Sequence, residues 1–434
     1  MTLRYFISLL IIAAVSFTAC RNNNNIVKPG DYNVYLQSAE SKKLKDIDTE
    51  LSFWRNKLSV NSNDIAAQSK IAGLLTTRFA FSGNINEVHS ADSLYRIINN
   101  VNRTTSSSTF RSLASNDITQ HKFREAGIFI DSALQLGDNK YLSVLMEIDI
   151  AMELGDVQKA KTVLNSLQDK KDFPYLVRKA KILDHDGNGE EAIATLQEAL
   201  KNINPEFEKA SYIWAKTNLG DWLGHNNHYK ESYESYLDAL KVEPENYHAL
   251  KGIAWLAYAH DKNTTEAKRI LYYLMKVHPV PDYKLMMGEI AEFENNLPGK
   301  EKWYKEFLTD ISNPLYGDMY NKYAFSLQAD VFKNNSEALR IAEREVNNRP
   351  TALSYDMLAY ALYKTGEVQK AYNISQTYVE GKCFEPFSIY HQGMIYKAAG
   401  EKEKAKKYLS NAYKSGYELG PVKANIIKKE VTKI

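Results

Sequence analysis

The sequence predicts an all-α protein, a right-handed superhelical solenoid of about ten stacked antiparallel helix pairs. Gly220, Ala254 and Gly288 stand 34 residues apart, and Ala359 and Gly393 repeat this interval further along the chain. A period of this length is typical of two-helix repeats, in which each copy buries its apolar face only against its neighbours. No strand-like alternation of any length interrupts the pattern.

The copies can be followed in order along the chain. They begin near residues 65, 107, 141, 173, 213, 247, 281, 319, 352 and 386. Glycine followed by a polar residue marks turns between helices at Gly155, Gly187, Gly366 and Gly400. The repeat region is predicted to span residues 46–416 and to open with a single helix at about 46–58. Residues 417–434 are predicted to form a capping helix, because the end of a stack needs a polar cover.

The clearest copy covers residues 213–246. It places Leu219, Gly220 and Leu223 on its first helix, Ala239 on its second and Pro244 at its exit. Small residues at such positions allow two helices to approach closely. This arrangement resembles the tetratricopeptide repeat (TPR). The resemblance implies that the first helices of successive copies line a concave groove, and that the groove binds a protein or peptide partner.

The start of the chain resembles the leader of a bacterial lipoprotein. Arg4 precedes an apolar run at residues 5–15, which is too short to span a bilayer as a helix. Phe17-Thr18-Ala19-Cys20 resembles a lipobox. The resemblance implies a signal peptide at residues 1–19 and acylation of Cys20, and Arg21 then suggests the outer membrane. Residues 20–45 are predicted to be a flexible tether. The alternative is an ordinary cleaved signal with an incidental cysteine.

Composition narrows the classes of function. The net charge is +2 and charged residues make up 25% of the chain, a balance that does not favour nucleic-acid binding. The two cysteines are Cys20 and Cys383, so acylation of Cys20 would leave Cys383 without a disulfide partner. No apolar run of membrane length follows residue 19.

Motifs that carry catalysis or hold cofactors are missing from the sequence. We find no phosphate-binding glycine loop, no nucleophile elbow and no zinc-type cysteine pairs. His225 and His228 could share a metal only with a third ligand that the surrounding sequence does not offer. Residues 184–189 match the opening of an EF-hand loop, but the repeat period already predicts a hairpin turn there. The expectation is a protein with no catalytic residue, metal or cofactor.

Aromatic residues recur at the predicted inward positions of the first helices. We take these residues as candidates for groove binding: Trp255, Tyr258, Tyr320, Tyr323, Tyr360, Tyr363, Phe387 and Tyr390. Such side chains combine a large contact area with a polar tip, which suits recognition. The alternative is that they pack between repeats as part of the core. The carboxylate clamp of chaperone-type TPR domains is not expected, because Trp255 replaces the asparagine of that clamp beside Lys251.

These observations favour a lipid-anchored scaffold or adaptor of the cell envelope that binds a protein or peptide partner in its concave groove. The alternative is a glycan- or nutrient-binding outer-membrane lipoprotein of the starch-utilisation type, which also uses such helices. An enzyme is not expected, because no polar constellation converges in the sequence.

Overall fold

The computed structural model describes residues 25–38, 40–101, 106–167 and 170–434. Throughout these ranges every regular element is helical, and no strand occurs. The helices are α1 (Pro29–Tyr32), α2 (Lys42–Val60), α3 (Ile65–Ser82), α4 (Ile85–Val101), α5 (Ser107–Thr119), α6 (Phe123–Leu136), α7 (Lys140–Glu153), α8 (Val157–Asn165), α9 (Phe173–His185), α10 (Gly189–Lys201), α11 (Lys209–His225), α12 (Tyr229–Val242), α13 (Tyr247–Trp255), α14 (Thr264–Val277), α15 (Asp282–Phe293), α16 (Leu297–Ile311), α17 (Asn321–Ser326), α18 (Asn335–Asn348), α19 (Ala352–Lys364), α20 (Val368–Ile374), α21 (Pro386–Ala398), α22 (Lys402–Lys414) and α23 (Gly416–Val431). Short 3₁₀ turns occupy Asn33–Leu36 and Pro314–Tyr316, and single π-helical turns extend α13, α17 and α20 at Leu256–His260, Leu327–Val331 and Ser375–Val379.

Helices α3 to α22 pack as ten consecutive pairs, from α3 with α4 to α21 with α22. Their first helices begin within four residues of the predicted starts, so the prediction of a helical solenoid with about ten repeats is confirmed. The helix predicted at 46–58 is α2, which is longer at both ends. None of the described helices is both long enough and apolar enough to cross a membrane.

The small residues spaced 34 apart lie where the two helices of a pair cross. Ala254 and Ala359 are fully buried. At Gly393, an added Cβ would lie 2.7 Å from Leu409 Cγ and 3.1 Å from the backbone nitrogen of Leu409. A larger side chain there would push the helices apart, because a close-packed interior has no spare volume. The repeat spacing therefore sets the interhelical distance.

Successive turns of the solenoid contact one another. His89 Nε2 donates to Leu315 O at 2.8 Å, and Arg349 Nη1 pairs with Glu153 Oε2 at 2.7 Å. Gly155 has φ 79°, and a Cβ on it would lie 2.8 Å from Pro350 O. Such contacts join residues 196 to 235 positions apart, which corresponds to about six to seven repeats. The chain thus completes one turn of the solenoid and most of a second, and the second rests on the first.

The tether predicted at residues 20–45 is corrected over its described part. Val27 and Tyr32 are buried against the pairs that contain α12, α13 and α14. Both carboxylate oxygens of Asp261 accept backbone hydrogen bonds, from Ile26 N at 3.1 Å and Val27 N at 3.0 Å. Helix α2 already begins at Lys42. The prediction failed because apolar residues of this short segment find a surface on a distant repeat. Residues 1–24, with the predicted signal peptide and Cys20, lie outside the described residues.

The capping helix predicted at residues 417–434 forms as α23, but it does more than cover the last pair. It packs on α22 and also touches α11, α15, α21 and the π-helical turn at Leu256–His260. It therefore runs back across the concave side of the solenoid. A terminal cap alone would not reach elements that lie two hundred residues earlier in the chain.

Candidate functional site

The concave surface of the C-terminal six pairs is lined by their first helices, α11, α13, α15, α17, α19 and α21. Residues 417–426 of α23 lie opposite this wall. Between them the structure encloses a cavity of about 520 Å³. This volume is within the range of sites that hold small molecules or a few side chains of a peptide.

The eight aromatic candidates divide into two groups. Trp255, Tyr323 and Phe387 line the cavity, and Tyr323 is 39% exposed. The other five do not line it: Tyr258, Tyr360 and Tyr390 are buried, and Tyr320 and Tyr363 are half-buried. Both readings that the sequence left open are therefore realised, each by a part of the set.

Buried tyrosines support carboxylates along the wall. Their hydroxyl groups donate to an acidic side chain, from Tyr236 to Asp221 at 2.6 Å, Tyr258 to Glu289 at 3.1 Å, Tyr320 to Asp282 at 2.7 Å and Tyr360 to Asp330 at 2.8 Å. A buried carboxylate needs such donors to offset its lost hydration. These tyrosines thus fix carboxylates at the cavity, although they do not form its surface themselves.

Basic side chains neutralise several of these carboxylates. Lys251 Nζ pairs with Asp282 Oδ1 at 3.1 Å, and His248 Nε2 contacts Asp221 Oδ2 at 2.8 Å. Burial lowers the pKa of Lys251, but the Asp282 carboxylate outweighs this effect and raises the pKa above its ordinary value. Lys251 is therefore committed to an internal ion pair and is not a free clamp for a terminal carboxylate.

Two acidic groups of the wall have no basic partner at ionic distance or leave an oxygen unsatisfied. Burial raises the pKa of Glu289 to about 7, although the hydroxyl of Tyr258 opposes the shift. Asp356 Oδ2 contacts His391 Nδ1 at 2.7 Å. Its second oxygen is buried with no hydrogen-bond partner among the described residues. These two groups make the wall receptive to a donor or cation.

The sequence reading missed the importance of the acidic residues. Asp221, Asp330 and Asp356 occupy the same inward positions as the aromatics and line the cavity. Their helical spacing was visible, but the pairing with tyrosines on neighbouring repeats was not. The part played by residues 417–426 gave no signal in the repeat pattern.

Chemistry beyond binding finds little support at the cavity. Cys383 is buried, and burial raises the pKa of its thiol to about 12, so it is a poor nucleophile. Within the described ranges, no group of three or more His, Cys, Asp or Glu side chains is placed to hold a metal. His228 contacts Glu190 at 2.9 Å and His225 lies 3.7 Å from Glu418. Residues 184–189 form the turn between α9 and α10, as the repeat period predicts.

Comparison with known proteins follows the architecture. The family description "Tetratricopeptide repeat" matches residues 387–415, which correspond to α21 and α22. None of the curated proteins compared with the chain matches its sequence.

Among solved structures, the chain is similar to the human IFIT1 dimer with PPP-AAAA, with a TM-score of 0.43 and 11% identity over 88% of this chain and 93% of that one. It is similar to a tetratricopeptide repeat protein from Parabacteroides merdae ATCC 43184, with a TM-score of 0.34 and 20% identity over 60% and 97% of the two chains. It is also similar to YrrB, described as a TPR protein with an unusual peptide-binding site, with a TM-score of 0.23 and 14% identity over 53% and 94%.

The ten helix pairs, their 34-residue spacing of small residues and the match at 387–415 lead to one conclusion. The chain is a tetratricopeptide-repeat protein, and its fold is that of an interaction scaffold.

Proposed function

We propose that this protein is a lipid-anchored scaffold of the cell envelope that binds a peptide segment of another protein on its concave wall. The observation that carries the proposal is that a polypeptide segment, residues 417–426, already lies against that wall. A surface that accommodates backbone and side chains of one segment has the shape and polarity to accept another.

The cavity supports recognition by side-chain chemistry. Trp255, Tyr323 and Phe387 offer aromatic contact area, and Glu289 and Asp356 offer acceptors. Aromatic anchors surrounded by paired polar groups are typical of binding surfaces. The starch-utilisation type of glycan binding needs a site built from long insertions. Here residues 312–320, which link α16 to α17, are the longest described connection between consecutive paired helices. We therefore favour the peptide partner.

A photo-crosslinking amino acid at position 323 tests the proposal in envelope preparations. Tyr323 lines the cavity, whereas Tyr272 on α14 is 55% exposed and does not line it. We expect a discrete protein adduct from position 323 and none from the matched position 272. The captured protein, once purified, should bind the Trp255→Ala variant at least tenfold more weakly, as expected for loss of an aromatic anchor worth about 2 kcal/mol. Equal adducts from both positions would refute the proposal, and binding of oligosaccharides that quenches Trp255 fluorescence would favour the glycan alternative.

Lipid attachment at Cys20 is a separate part of the proposal. The lipobox-like residues 17–20 support it. Labelling of cells with a fatty-acid probe should mark the wild-type protein and the Cys383→Ala control, and it should not mark Cys20→Ala. A labelled Cys20→Ala protein, or an unlabelled wild type that is found in the aqueous phase after detergent partition, would show that Cys20 is not the anchor.

A further inference from the structure

The C-terminal helix α23 makes side-chain contacts that resemble those of a bound peptide. It begins beside α22 and crosses the concave wall to reach α11 and α15. Its first residues insert an aromatic ring and its middle inserts a basic group, each at a separate place on the wall.

The aromatic group is Tyr417, which is 8% exposed. Its ring centroid lies 4.8 Å from that of Tyr229 and 6.4 Å from that of Trp255. Its Cε1 atom comes so close to α11 that a Cβ on Gly224 would lie 2.9 Å from it. These contacts define a subsite for one aromatic side chain, which we call the aromatic seat: Gly224, Tyr229 and Trp255.

The basic group is Lys423, six residues further on. Its Nζ pairs with Asp330 Oδ2 at 2.7 Å and lies 4.9 Å from the centroid of the Tyr390 ring. Asp330 also accepts from Tyr360 and from Lys364 Nζ at 3.1 Å. We call Asp330 and Tyr390 the cation seat. If Lys423 left, Asp330 would keep one cation and lose the nearer one in a poorly hydrated place, which is costly unless another cation replaces it.

Helix α23 fits the wall imperfectly. The cavity of about 520 Å³ remains between it and the repeats. The helix is also broken at Gly420, whose φ of 80° and ψ of 157° belong to a region open essentially to glycine alone. A Cβ on Gly420 would collide with the Glu289 carboxylate and lie 3.2 Å from Trp255 Cη2. The segment is therefore held by a few side chains and a strained break rather than by continuous close packing.

We propose that residues 416–431 are a displaceable internal occupant of the partner-binding wall, and that the partner is a peptide segment with an aromatic residue followed six positions later by lysine or arginine. This inference rests on the proposed function, since it assigns the partner to the same wall. The partner must supply an aromatic ring to the aromatic seat and a cation to the cation seat in place of Tyr417 and Lys423. The free protein is then closed, and its apparent affinity for the partner is reduced by the internal competitor.

A labelled synthetic peptide of residues 415–434 tests the inference on the full-length protein. In the wild type the internal segment competes at an effective concentration in the millimolar range. In the Gly420→Ala variant that segment is expelled, while both seats remain intact. We expect the peptide to bind Gly420→Ala at least tenfold more tightly than the wild type. The Gly73→Ala protein is the matched control, because a Cβ there meets nothing within 4 Å.

A second peptide, in which Tyr417 and Lys423 are both alanine, should bind neither protein. Circular dichroism and thermal melting establish that the repeats of each variant remain folded. If Gly420→Ala does not fold, Lys423→Ala takes its place, with exposed Lys429→Ala as its control. Equal affinity of the first peptide for variant and wild type, or no binding to a folded variant, would overturn the inference.

The two proposals fail in different ways. If position 323 crosslinks to a partner while the peptide does not distinguish Gly420→Ala from the wild type, the wall binds a partner but α23 does not compete for it. If the peptide binds Gly420→Ala and no adduct forms at position 323 in envelopes, the internal contact exists but the scaffold function is wrong.

Discussion

At the scale of single residues, the wall combines buried acids with tyrosine donors. Glu289 stands out because Tyr258 is its only hydrogen-bond donor and its carboxylate approaches Gly420. Desolvation therefore decides its protonation. The cations nearest to it, Lys262 and Lys423, act from a distance. Glu289 is thus a charge that the fold accepts at a cost above neutral pH.

The Glu289→Gln variant should change the pH dependence of stability. Burial raises the pKa of Glu289 to about 7, so the folded state holds a proton that the unfolded state releases near pH 4.5. The folded state is therefore favoured by this group at low pH, and the benefit is lost as pH rises through 7. We expect the variant to match the wild type at pH 4.5 and to be more stable by about 1–3 kcal/mol at pH 8, as measured by urea unfolding.

The control for this prediction is Glu301→Gln, on an exposed residue paired with Lys305. It should leave the difference between the two pH values as in the wild type. A Glu289→Gln protein that is less stable than the wild type at pH 8 would mean that the carboxylate is needed in its charged form.

At the scale of elements, the sequence predicted what is local and periodic. The spacing of Gly220, Ala254 and Gly288 located the helix pairs because each pair obeys the same short-range packing rule. The two terminal segments escaped prediction, because their docking depends on which repeats the curvature brings near them. The aromatic candidates divided for the same reason: helical spacing gives the side of a helix, but α23 and neighbouring tyrosines decide what is covered.

The docking of the N-terminal segment can be tested at Asp261. Its side chain is 1% exposed and accepts the backbone hydrogen bonds of Ile26 and Val27. Asp261→Ala leaves those two amides without their acceptor, which costs about 1–3 kcal/mol for each buried group. We expect residues 25–36 to become sensitive to limited proteolysis while the repeats stay resistant. The exposed Asp131→Ala control should behave as the wild type, and an unchanged cleavage pattern in Asp261→Ala would contradict the docking.

At the scale of the whole molecule, contact between successive turns makes the solenoid a closed spring. Arg124 donates to the carbonyl oxygens of Asn347 and Asn348 at 3.1 Å and 2.9 Å, and Arg349 pairs with Glu153. These contacts hold together repeats that are distant in sequence. They keep the curvature of the wall fixed and so define the cavity that α23 shares with it.

Replacement of both Arg124 and Arg349 by alanine should loosen the turns. Each charged hydrogen bond of this kind contributes about 1–3 kcal/mol. We expect a larger radius of gyration by solution X-ray scattering with unchanged helix content, because contacts within each repeat are untouched. The Arg340→Ala control removes only a contact with Glu337 on the same helix. Scattering identical to the wild type in the double variant would show that the turns are held by other contacts.

The central claim is that α23 is an internal occupant which opens without unfolding of the repeats, and hydrogen–deuterium exchange of the unmodified protein tests it most directly. Exchange in native proteins reports the free energy of each local opening. We predict that the amides of residues 417–431 exchange well before those of α21 and α22, although Tyr417 and Ile427 are buried. Exchange of α23 at the same rate as these two helices would mean that it unfolds only with the repeats, and would contradict the account.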